Sequence, residues 1–404
     1  MCRLPPIPYP DPVAKKASKP RAQASLASLA DERAALKAQH PVPVAFSEIL
    51  GQDRALKVLT DAIRSGRIHH AWIFHGPSGV GKFTAALAFA SLILDETTKV
   101  KGDQPVSGPD SVVKPLLAAR SHPDLHIITK ELAAFSEIDS VRKNKQITIA
   151  KDVVETHLIA PALLAPSLPG GLASKVFIID EAELLDRSPS HATTQAAILK
   201  TLEEPPPGTV IILVTTSPDR LLTTVRSRSQ QVVFVPLNGA CMREWIERQK
   251  HTFDPPVSAD DLPILQSFAS GSPGEFVAAH TANLAEWSRT LEPLLAPTDQ
   301  GKYSPGLGPT MTMLVDEWAA AVVDKDKQAS KEAANRAGAE LLFRMLGQRA
   351  RNQLRRTANA PERALDVINS IREAERQLVA SVALAFVMEW LSIQFSASRD
   401  PLLV

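Results

Sequence analysis

The sequence is poor in cysteine, with two among 404 residues. Cys2 and Cys241 stand far apart and in no C-x-x-C spacing. A zinc module or a disulfide framework would have no ligands, and a reducing cytoplasm fits. An excess of either charge is missing too: 45 Lys and Arg against 44 Asp and Glu leave a net +1. No global field draws the chain to nucleic acid, and only a local basic patch remains open. No run of about 18 uncharged apolar residues occurs, so no membrane span is expected. The first residues, MCRLPPIPYPDP, lack the apolar core of a signal peptide.

Proline is plentiful, at 32 residues, and concentrates in the tail and the connections. Apolar residues at 44% and charged ones at 22% are ordinary for a globular chain. The length exceeds the roughly 250 residues at which single cores stop growing, so two or three domains are expected.

One stretch organises the rest. Ala71-Trp72-Ile73-Phe74 reads as a short buried strand, His75-Gly76-Pro77-Ser78-Gly79-Val80-Gly81-Lys82-Phe83-Thr84 as a glycine-rich turn, and Ala85–Leu94 as a helix. A phosphate-binding loop requires that order: the glycines let backbone N–H groups point inward, the helix adds its positive end, and Lys82 a full charge. The pattern wants a hydroxyl directly after the lysine to hold Mg²⁺, and Phe83 stands there. Thr84 follows one residue late, rotated by about 100° on a helix. The reading is a P-loop fold in which nucleotide binding stays open and hydrolysis by this chain is disfavoured. The candidate nucleotide-binding residues are Gly76, Gly79, Gly81, Lys82, Thr84 and Thr215.

Further along, Val176-Phe177-Ile178-Ile179 is an apolar β-favouring run that ends in Asp180-Glu181. Beside a P-loop that is the Walker B arrangement, in which the Asp accepts a Mg²⁺-bound water and the Glu polarises the attacking water. Thr209–Thr216 reads as another buried strand, whose terminal threonines either meet a γ-phosphate or cap the strand. Alternating strands and helices specify a parallel sheet covered on both faces, with ligands beyond the C-terminal strand ends. The pair His69-His70, without further ligands, reads as structural.

The domain reading has five parts. Residues 1–43 form a disordered or partly helical tail, helical only at Ala24–Gln39, and 44–236 the P-loop domain, with an insertion at 95–121. Residues 237–285 form a small helical lid and 286–310 a Gly/Pro-rich linker. Residues 311–398 form an all-α oligomerisation domain with an apolar stripe through Leu378, Val382, Phe386 and Leu391.

Several segments resemble the bacterial DNA polymerase III clamp-loader subunits and, through them, the AAA+ superfamily. They are Phe46–Gln52, His70–Pro77, Ser121–Leu125, Ala197–Pro206 and Ser227-Arg228-Ser229, spread over roughly residues 44–236. The resemblance implies an α/β fold, an AAA+ parallel-sheet domain followed by a lid and a C-terminal all-α collar. It implies cytoplasmic work in DNA replication, with gamma/tau and delta subunits, the sliding clamp and primer–template DNA as partners. ATP with Mg²⁺ is the cofactor such a site would take, with Phe83 arguing against both; no zinc is expected. The family has a motor branch, gamma/tau, and a stationary branch, delta-prime. Phe83 departs from the motor pattern, and Gly274 in Gly271-Ser272-Pro273-Gly274 stands where the motor has a lid arginine. Both favour delta-prime; the cysteine-free insertion departs from both branches. Arg228 is the expected finger, acting in trans on a neighbour's nucleotide, while Asp180 and Glu181 are expected to be vestigial. The alternative is an active gamma/tau-like ATPase.

Overall fold

The computed structural model describes residues 41–143, 147–186, 192–325, 330–356 and 361–396. The expected tail, with its helix at Ala24–Gln39, lies outside the described residues except for 41–43. In the first half, helix α1 (Asp53–Ser65), strand β1 (Ala71–His75), helix α2 (Lys82–Leu94) and a hairpin of β2 (Lys99–Lys101) and β3 (Gln104–Val106) come first. Next are α3 (Val113–Ala118), β4 (Leu125–Ile128), α4 (Asp139–Lys143), α5 (Lys151–Val154), a wide turn Glu155–Ile159, α6 (Ala160–Leu163) and β5 (Lys175–Ile179). Then α7 (Thr193–Glu203), β6 (Thr209–Thr215), α8 (Thr223–Ser227) and β7 (Gln230–Val233) complete it.

Five strands make one sheet in the order β4-β5-β6-β1-β7, and every pairing in it is parallel. The central strands are apolar throughout because both faces are covered: all of β5 and β6 is buried. Helix α2 is apolar around most of its circumference, and ten of its thirteen residues are buried between sheet and neighbours. Register fixes the working edge. His75 lies opposite Thr215 and Ile179 opposite Leu213, so the P-loop, Asp180 and Thr215 all leave the sheet together at its C-terminal edge.

The second half is helical: α9 (Gly239–Gln249), α10 (Leu262–Ala269), α11 (Pro273–Thr281), α12 (Leu284–Thr298), α13 (Leu307–Lys325), α14 (Lys331–Arg356), α15 (Pro361–Val379) and α16 (Leu384–Ser396). The linker expected at 286–310 is a correction, since α12 and the start of α13 occupy most of it. Leu284, Trp287, Leu291 and Leu295 form a buried stripe at helical spacing. Burying four such side chains gains about 1.5–3 kcal/mol each, which outweighs about 3 kcal/mol for an interior proline such as Pro293. One continuous apolar cluster joins Leu237, Phe276 and Leu291 to Val315, Leu342 and Leu391, so the lid helices and the C-terminal helices share a core. The apolar stripe also divides. Leu391 is buried, whereas Val382 and Phe386 are exposed.

Smaller differences have local causes. The insertion at 95–121 carries the β2–β3 hairpin and α3, whose Val113 and Leu117 pack into the sheet core. The β-like Ile147-Thr148-Ile149-Ala150 is not a strand; Ile149 is buried and its N–H donates to the Leu184 carbonyl. Among the described residues no helix is long and apolar enough to cross a membrane.

Candidate functional site

A cleft of about 860 Å³ opens at the C-terminal edge of the sheet, bounded by the P-loop, β5, β6 and the lid. Gly79, Gly81, Lys82, Phe83, Thr84, Asp180, Glu181 and Thr215 line it. Gly76 starts the loop behind them, where a Cβ would fall 2.2 Å from the Phe234 carbonyl oxygen, so only glycine fits.

Lys82 is 6% exposed, and its ammonium donates to the carbonyls of Gly76 (2.9 Å) and Pro77 (2.5 Å). Burial lowers its pKa, against the pull of Glu183 and Asp180. Burial also drives the Asp180 carboxyl up to about 6, although the Glu181 N–H donates to it at 2.9 Å. Glu181 adopts a left-handed backbone with φ 48°, and its carboxylate pairs with Lys130 at 2.8 Å. Thr215 closes β6, its hydroxyl accepting from the Ser217 N–H at 3.0 Å.

Sequence reasoning missed Glu183. It accepts from the Thr216 N–H at 3.2 Å and from the Thr216 hydroxyl, and so ties the β5 turn to the end of β6. The only signal was a third acid two residues after Glu181. Lys130, 51 residues from Glu181 in sequence, gave no signal. Trp245 and Arg248 on α9 also line the cleft, and the Arg248 guanidinium donates to the Glu48 carbonyl at 3.4 Å.

The lid rests directly on the P-loop. The Gly274 N–H donates to the Gly79 carbonyl at 2.9 Å, and the Ser272 hydroxyl donates to the Ser78 carbonyl at 2.8 Å. A Cβ on Gly274 would fall 2.7 Å from the Gly79 Cα, and one on Gly79 2.6 Å from the Ser272 oxygen. Glycine meets glycine, and neither position has room for a side chain in this arrangement.

Arg228 is elsewhere. It closes α8 two residues before β7 begins, at the N-terminal edge of the sheet, whereas the P-loop leaves the C-terminal edge. Five residues of β1 separate the two edges, about 16 Å at the usual rise. Its guanidinium pairs with Glu203 at 2.9 Å and donates to the Thr224 carbonyl at 3.2 Å. Arg226, on the same short helix, pairs with Asp219 at 2.7 Å.

The donor set suits a phosphate: loop N–H groups, a helix N-terminus and Lys82. It is one ligand short for Mg²⁺, since Phe83 holds the hydroxyl's position and packs in part against the sheet core. Among the described residues no group of three or more His, Cys, Asp or Glu is placed to hold a metal ion.

A parallel sheet with a P-loop, a Walker B pair and a helical lid over the strand ends defines an AAA+ type of protein. The family model described as "DNA polymerase III, delta subunit" matches residues 51–238. The gamma/tau subunit of Mycobacterium bovis DNA polymerase III is 27% identical over 57% of this chain and 36% of that one. The Escherichia coli tau subunit is 27% identical over 76% of this chain and 41% of that one. The Bacillus subtilis delta' subunit is 26% identical over 49% of this chain and 52% of that one. The chain thus matches between about a third and a half of the length of these curated relatives. Its P-loop half is similar to the clamp-loader subunits of DNA polymerase III, among the AAA+ proteins.

Proposed function

We propose that this chain is an accessory, delta-prime-like subunit of a DNA polymerase III clamp loader, which helps to open the sliding clamp and place it on primed DNA. Its partners in this reading are gamma/tau and delta subunits, with primer–template DNA met through backbone phosphates of the assembly. The carrying observation is the division of parts between the two edges of the sheet. At the C-terminal edge the chain's own P-loop lacks the hydroxyl after Lys82 and has the Gly274 backbone where a motor subunit has an arginine. At the other edge Arg228 is half-exposed and too far from that P-loop to serve it. An arginine so placed suits a neighbour's ATP, where a fork of donors stabilises charge developing on the γ-phosphate.

A second reading, an active gamma/tau-like ATPase, draws support from Asp180, Glu181 and Thr215 around one cleft and from the longer match to gamma/tau chains. Calorimetric titration with a slowly hydrolysed ATP analogue, with and without Mg²⁺, separates the two. The accessory reading expects no Mg²⁺-dependent tightening. Micromolar binding that requires Mg²⁺ would put Thr84 in the metal role and overturn it.

A further inference from the structure

We propose that Glu203 is the positioning residue for Arg228, holding the guanidinium at the N-terminal edge of the sheet for use by an adjoining subunit. The proposal rests on the reading of Arg228 as a group that acts in trans. The two carboxylate and guanidinium groups meet at 2.9 Å, and the Thr224 carbonyl takes a second donor at 3.2 Å. The Thr224 carbonyl takes one of the five guanidinium N–H donors, and Glu203 faces a second nitrogen as an ion pair. The side chain keeps 38% of its exposure, so an incoming phosphate can reach it.

Both ends of the pair stand on fixed backbone. Ile198 and Leu202 on α7 are fully buried, and Pro205-Pro206-Pro207 stiffens the chain just after Glu203. On the other side the Arg228 N–H donates to the Val225 carbonyl, and the chain then enters β7. The helix itself gains nothing from the acid. A carboxylate in the last turn of α7 faces the negative end of the helix dipole, which is unfavourable. As a half-exposed ion pair it also contributes little to folding stability. Its effect is on freedom: an arginine side chain has many rotamers, and one tied at two points has few left to lose when a γ-phosphate arrives. Glu203 is therefore distinct from the groups of the chain's own cleft and acts only through Arg228.

The test is a double-mutant cycle on the assembly that co-purifies with the tagged full chain, with steady-state ATP hydrolysis as the readout. The turnover lost on Arg228→Ala defines the Arg228-dependent share. Glu203→Ala should remove most of that share, a loss of about 3- to 10-fold, in kcat with KM unchanged. Glu203→Gln, which keeps an acceptor oxygen, should restore part of it. In the Arg228→Ala background Glu203→Ala should have no further effect, and the thermal midpoint of the chain should stay within 1–2 °C or so of the parent. Loss on Arg228→Ala with none on Glu203→Ala overturns the positioning role and leaves the finger reading standing. A Glu203 effect that persists without Arg228 also overturns it. No loss on Arg228→Ala sinks the finger reading and the proposal together.

Discussion

The two edges of one parallel sheet hold their charged groups in opposite ways. At the C-terminal edge nearly every charge is engaged within the chain: Lys82 by the carbonyls of its own loop, Glu181 by Lys130, Glu183 by Thr216. The lid seats its backbone on the loop between Gly274 and Gly79. At the N-terminal edge Arg228 rests in a half-exposed pair that water already reaches. Exposed pairs of that kind are worth only about 0–1 kcal/mol, so the arginine can exchange its partner at little cost, whereas the P-loop edge can change only by moving a domain. On the proposed reading, an idle site is held shut by packing, whereas the group offered to another subunit is held in place by a pair that it can exchange.

The contrast predicts a gradient of mutational effects. The largest is Arg228→Ala, for which the neighbouring site it faces should lose about 10³-fold in rate while the nucleotide affinity of this chain stays unchanged. Parallel turnover and calorimetry check it, and equal losses in both would erase the distinction between the edges. Next is Gly274→Arg, which forces atoms into the Gly79 backbone. Destabilisation of about 1–3 kcal/mol is expected, read as a lower thermal midpoint; an unchanged midpoint would mean that the lid yields freely. Smaller still is Lys82→Ala, expected to change clamp loading by less than about 2-fold, because an idle site carries none of the turnover. Collapse of loading would show that the C-terminal edge is in use.

A further effect, on stability alone, concerns pH. Asp180 is raised by burial to about 6 from 3.8, so the folded state binds more protons than the unfolded state between those values. Stability from this group is complete below about pH 3.8 and is lost as pH rises through 6. Asp180→Asn should therefore raise stability at pH 7 in Mg²⁺-free buffer by roughly 1–2 kcal/mol. The gain should vanish near pH 4, and denaturant melts at the two values test it.

Much of this was legible in the sequence because local chemistry dictated it. The runs in β5 and β6 are apolar without interruption, which parallel strands covered on both faces require, and the P-loop sits between a strand and a helix. Prolines misled at 286–310 because turn chemistry is read locally, whereas the stripe Leu284–Leu295 is stabilised by residues of α13 and α16 that only the fold brings near. Glu183, Lys130, Trp245 and Arg248 were missed for the same reason, since each reaches the cleft through a neighbour distant in sequence. Glu203 lay within the quoted Ala197–Pro206 segment, yet its pairing with Arg228 crosses from α7 to α8 and has no local signature.

The common core of the lid and C-terminal helices has a mechanical consequence. Because Leu237, Phe276 and Leu291 pack in the same cluster as Leu342 and Leu391, a torque on the last helices is delivered through the lid to the backbone contact at Gly79. The described part of the chain would then transmit strain like a strut from its last helices to the C-terminal edge of the sheet, the edge opposite the one that carries Arg228.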